Sequence, residues 1–211
     1  MGSATHNRYS RIETTPAEEE IRRSIGSIDT GVDATHPDIN LVNQVNFVPN
    51  EPNGDCNGHG TGVAGVIAGR DNDQFTVGVA PGAPVTGVKV IGCAGVTFPS
   101  IIIQGIDWVT AHAVKPAVAN MSLGSLVPLI GVNTAVRNSA ASGIFYALAA
   151  GNGNPFDKNA PLNACQTSPA STGYSSNGAN GIVTAGATDE EDRVAAFSNY
   201  GPCVDIHAPG V

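Results

Sequence analysis

Residues 117–150, AVANMSLGSLVPLIGVNTAVRNSAASGIFYALAA, decide the fold. AVANM (117–121) is a short apolar run and predicts a strand. Residues 131–141 place Val132, Val136 and Ala140 on one helical face. GIFYALAA (143–150) is a continuous apolar run and predicts a second strand. Strand, helix and strand in succession form a βαβ unit. Apolar runs without alternation belong to parallel strands covered on both faces.

The alternation continues in both directions. SIGSI (24–28) and residues 44–47 predict strands, and HGTGVAGVIAG (59–69) predicts a helix with a small-residue face. VTGVKVI (85–91) is β-branched, lies between Pro84 and Gly92, and predicts a strand. Residues 99–113 align Ile102, Ile106 and Val109 on one helical face. GIVTAGA (181–187) and CVDIHA (203–208) complete the strands. The expected fold class is α/β: a parallel sheet covered by helices on both faces, with right-handed crossovers. Residues 24–211 are expected to form one domain. Residues 1–23 form an irregular segment, with a short exposed helix predicted from near Pro16.

Composition narrows the function. Apolar residues make up 41% and charged residues 13% of 211, the reverse of a disordered chain. No stretch approaches 18 uninterrupted apolar residues, so no membrane span is expected. The net charge is −8, and no basic cluster offers a footprint for nucleic acid. Residues 1–23 carry four Arg and four Glu, which cancel, so the acidity belongs to the remainder. Cys56, Cys93, Cys165 and Cys203 contain no CxxC pair, which argues against a zinc ribbon. An even count fits two disulfides, in any of three connectivities.

Ligands of parallel α/β sheets bind beyond the carboxyl ends of the strands. Three polar residues stand there or at a helix start, each flanked by glycine: Asp29 in Asp29-Thr30-Gly31, His59 in Gly58-His59-Gly60, and Asn152 in Gly151-Asn152-Gly153. Individually each has a bland role as a cap or turn residue. Together they supply what acyl transfer needs. A histidine takes the nucleophile's proton, a carboxylate fixes its tautomer, and a side-chain amide donates to the developing oxyanion.

With those flanks, the chain resembles the subtilisin-like serine peptidases. The resemblance rests on SIDTGVDATHPDI, DCNGHGTGVAGVIAG, GVAPGAPVTGVKV, VANMSLGS, YALAAGNGN and FSNYGPCVDIHAPG, in order from about residue 24 to 211. The cysteine placing most resembles the secreted proteinase K and aqualysin branch. The resemblance implies that Asp29 orients the imidazole, His59 is the general base and acid, and Asn152 is an oxyanion donor. It implies polypeptide substrates, lying between Gly95-Val96-Thr97 and Ser122-Leu123-Gly124. Ala149-Ala150-Gly151 would form a wall of the first specificity pocket. It further implies Cys56–Cys93 and Cys165–Cys203 disulfides, secretion, no catalytic cofactor, and a propeptide in the full-length parent. A structural calcium is implied at Asp205, with backbone oxygens around Asn180 and Ile182.

The departures are also informative. The family's nucleophile lies in a Gly-Thr-Ser-Met-Ala segment shortly after the APG motif, and no Gly-Thr-Ser occurs among these 211 residues. The expectation is therefore a peptidase domain incomplete at its C-terminus and inactive as it stands. The rival from another class is a non-catalytic peptide- or partner-binding relative. Asp-Thr-Gly is also the signature of aspartic peptidases, but those need two copies, and the βα alternation disagrees with their all-β fold.

Overall fold

The computed structural model describes residues 25–157, 160–173 and 180–211. Among the described residues seven strands form one sheet: β1 (Ile25–Asp29), β2 (Leu41–Asn46), β3 (Val85–Lys89), β4 (Ala117–Met121), β5 (Ile144–Ala149), β6 (Ile182–Thr188) and β7 (Ile206–Pro209). Their spatial order is β2-β3-β1-β4-β5-β6-β7, and every pairing is parallel. The α-helices among the described residues are α1 (His59–Ala68), α2 (Pro99–His112) and α3 (Ile130–Ala141).

Each helix buries the face its spacing predicts. α1 turns Gly60, Ala64 and Ala68 inward, four residues apart, beside Val32, Ile39 and Val85. α2 and α3 bury Ile102, Ile106, Val109, Val132, Val136 and Ala140 in a larger core with Ile28, Val88, Met121 and Leu148. These two cores hold the opposite faces of the sheet, which confirms the expected layering. Burying one such branched side chain stabilises the fold by about 1.5–3 kcal/mol.

Two strands start three residues away from the expected position. β2 begins at Leu41 rather than 44, because its register against β3 shifts between Leu41 and Asn43 and breaks the side-chain alternation. β7 begins at Ile206 rather than 203. Cys203 is buried in a turn, and pairing with β6 starts three residues later. The helix expected near Pro16 and the position of Ser24 lie outside the described residues.

The sheet order creates the site. The chain leaves β1 towards β3 and β2, and it leaves β4 in the opposite direction, towards β5. The β1 and β4 carboxyl ends therefore flank a crevice, the usual ligand position in a doubly wound sheet.

Candidate active site

Asp29 is the last residue of β1 and is fully buried. Its Oδ1 lies 2.7 Å from Nδ1 of His59 and accepts the Thr30 amide at 2.7 Å. His59 is the first residue of α1, with half of its side chain exposed. It therefore reaches Asp29 from a helix start, as the sequence predicts. A carboxylate acceptor fixes the proton on Nδ1, which leaves Nε2 as the basic nitrogen on the open side. Burial raises the Asp29 carboxyl above its ordinary value, opposed by the hydrogen bonds from His59 and Thr30. Its second oxygen is buried with no hydrogen-bond partner among the described residues.

The pair needs α1 to approach β1 closely. A Cβ on Gly60 would sit 2.1 Å from the Gly31 carbonyl oxygen, so only glycine fits there.

A cleft of about 550 Å³ opens beside His59. Gly95, Val96 and Thr97 line one side, and Ser122, Leu123 and Gly124 line the other. The Thr97 hydroxyl donates to the Val90 carbonyl and ties that rim to the end of β3. Asn152 lies in an adjoining cavity of about 180 Å³, with Ala149, Ala150 and Gly151 on its wall. The two cavities share Ser122, Leu123, Gly124, Ser125 and Ser168. His59 and Asn152 thus look into two lobes divided by one strand extension.

Several supporting residues escaped the sequence reading. Asn199 is buried, donates from Nδ2 to the Ala150 carbonyl at 2.8 Å, and accepts the Gly153 and Leu162 amides at 3.0 and 2.8 Å. It grips the loop on both sides of Asn152, where Gly151 adopts φ 103°. Lys89 is fully buried, donates to the Thr30 carbonyl at 2.8 Å, and lies 3.4 Å from Glu51. Asp55 accepts the Thr30 hydroxyl at 2.9 Å and the Thr61 hydroxyl at 2.6 Å. Burial pushes the Asp55 carboxyl up, but hydrogen bonds from Thr61, Gly58 and Asn57 outweigh it and hold the group at about 2. The FSNYG motif carried Asn199 and DCNGHGT carried Asp55, but neither motif shows which segment the side chain grips.

The disulfides are Cys56–Cys93 and Cys165–Cys203, with Cα separations of 5.0 and 5.2 Å. Glu51 lies close to both sulfurs of the first, yet a disulfide offers no thiolate, so the group does not make a metal centre. Near β6, Asp205 Oδ2 accepts the Thr184 amide at 2.8 Å, and the Asn180 side chain accepts the Ile182 amide at 3.0 Å. These oxygen donors suit calcium in kind.

A buried carboxylate bonded to a half-exposed imidazole, at the switch point of a parallel sheet, occupies the crevice where α/β domains place their ligands. The Subtilase family model matches residues 22–211, and the chain belongs to that family of subtilisin-like serine peptidases. It is 42% identical over 186 residues to alkaline serine exoprotease A of Vibrio alginolyticus, covering 87% of this chain and 31% of that protein. It is 40% identical over 186 residues to an extracellular serine proteinase of a Thermus species, covering 87% of this chain and 40% of that protein. A solved structure of a cold-adapted subtilisin-like serine proteinase superposes with a TM-score of 0.76 at 40% identity. That match covers 89% of this chain and 62% of the solved one. The chain thus spans between 31% and 62% of the length of these proteins.

Proposed function

We propose that this chain provides the acid–base half of a secreted serine endopeptidase. The observation that carries the reading is the 2.7 Å contact between buried Asp29 and His59, whose open side faces the cleft. In this mechanism His59 Nε2 removes the proton from a serine hydroxyl as that oxygen attacks the peptide carbonyl. The imidazolium then returns the proton to the leaving amine, while Asp29 stabilises its charge without becoming protonated. The Asn152 amide donates to the tetrahedral oxyanion. An extended polypeptide lies between Gly95-Val96-Thr97 and Ser122-Leu123-Gly124, held by main-chain hydrogen bonds as an added strand.

No Gly-Thr-Ser segment lies within residues 1–211, so the nucleophile is assigned to a longer chain. Two disulfides and the word "extracellular" in the Thermus relative's name support secretion, where such bonds persist. A propeptide in the longer chain and a calcium ion at Asp205 belong to the same proposal.

The test is hydrolysis of a peptide p-nitroanilide by this chain and by a version extended through a Gly-Thr-Ser segment, each with a His59→Ala control. The expected outcome is turnover by the extended version only, reduced by about 10³-fold or more in the variant. An extended, folded version that binds peptide without cleaving it would establish the binding-module reading instead.

A further inference from the structure

α1 starts without a cap of its own. Its N-cap is Gly58, at φ 99°, which has no side chain to satisfy the first-turn amides. Those amides are satisfied from two other segments. The Gly60 amide donates to the Thr30 hydroxyl at 2.8 Å, just beyond the end of β1. The Thr61 amide donates to Asp55 Oδ2 at 2.9 Å. Asp55 Oδ1 accepts the Asn57 and Gly58 amides at 3.0 and 2.9 Å. The same oxygen accepts the Thr30 hydroxyl at 2.9 Å. Thr30 is buried, so its hydroxyl is both acceptor from the helix and donor to Asp55.

One carboxylate therefore gathers five donors from the β1 end, the preceding loop and the first turn of α1. His59 is the first residue of that turn, and its partner Asp29 is the residue before Thr30. Both members of the pair hang from the same clamp. We infer that Asp55 is a positioning residue, which locks the first turn of α1 onto Thr30 and so holds the His59 ring on Asp29 in the Nδ1–H tautomer. The hydrogen bonds of Asp55 run to Thr30, Asn57, Gly58 and Thr61 rather than to the imidazole. It acts through Thr30 and the α1 backbone. The inference rests on the assignment of His59 as the base, but its geometry is independent of peptide turnover.

A cap that only stabilises a helix would raise the melting temperature and leave the imidazole unchanged. A clamp sets the tautomer. The experiment is long-range ¹H–¹⁵N correlation of His59 in the 211-residue chain, comparing wild type with Asp55→Asn and Thr30→Val. Circular dichroism confirms that each variant is folded. Thr30→Val is nearly isosteric and removes the hydroxyl link while leaving the Asp55 bonds to residues 57–61. The expected result is an Nδ1–H tautomer in the wild type, and loss of its dominance in favour of Nε2–H in both variants. If Asp55→Asn does not fold, Thr30→Val decides the matter alone. Retention of the Nδ1–H tautomer in folded Thr30→Val would overturn the inference, whatever happens to stability. Failure of the extended chain to cleave peptide, with the tautomer result as expected, would remove the peptidase proposal and leave the clamp standing.

Discussion

The β1–α1 corner and the β6–β7 margin are both built from parallel strands, but they are held together differently. At the corner, Ile28, Asp29, Thr30 and Gly60 are buried, and Lys89, Asp55 and Thr30 tie four segments through short hydrogen bonds. At the margin, all four residues of β7 are exposed, and the strand depends on its backbone pairing with β6. The Cys165–Cys203 disulfide anchors the segment just before it. The difference shows where positional accuracy is concentrated. Buried polar groups bonded across several segments fix a unique geometry, whereas an exposed strand fixes only its register.

The largest expected effect contrasts two isoleucines. Ile28→Ala removes a fully buried side chain from the main core and should cost about 2–5 kcal/mol. Ile206→Ala removes a half-exposed one from β7 and should cost below about 1 kcal/mol. Urea unfolding of the two variants checks the pair, and equal costs would break the contrast.

A smaller effect separates two glycines of one helix. Gly60→Ala forces a methyl to within 2.1 Å of the Gly31 oxygen and should destabilise by about 1–3 kcal/mol or more, while displacing His59. Gly62→Ala meets nothing within 4 Å and should stabilise by up to about 1 kcal/mol through helix propensity. Thermal unfolding of both variants gives the two signs directly.

The smallest effect is a pH dependence. Asp55 has its carboxyl lowered from 3.8 to about 2, so its ionised form stabilises the fold above about pH 4. That contribution is lost as pH falls towards 2. Asp29 works in the opposite sense. Burial raises its carboxyl, so protonation on acidification relieves a buried charge. The melting-temperature gap between wild type and Asp55→Asn should therefore narrow between about pH 4 and 2. A constant gap would detach the clamp from Asp55 ionisation.

The sequence by itself determined the layers. Apolar runs at 117–121 and 143–150, with helical spacing between them, dictate parallel strands, because periodicity is local and survives in a linear reading. Only their helix-covered face is buried, and Val118 and Phe145 on the other face are exposed. The positions of Asp29, His59 and Asn152 were legible for the same reason, since Asp29 ends a strand, His59 opens a helix and Asn152 follows a strand, each with a glycine within two residues. The cysteine pairing was legible only through family resemblance.

Tertiary structure alone decided the strand order, the bulge that starts β2 at Leu41, and the support of the site. Asp55 meets Thr30 across 25 residues, Asn199 meets Ala150 across 49, and Lys89 meets Thr30 across 59. Those partners carry no period or motif that links them in the chain. Their bonds exist because the crossover from β1 to β2 and β3, and the opposite one from β4, fold distant segments into one corner. A hydrogen bond is specified by position and direction in space, and a sequence read along its length records neither.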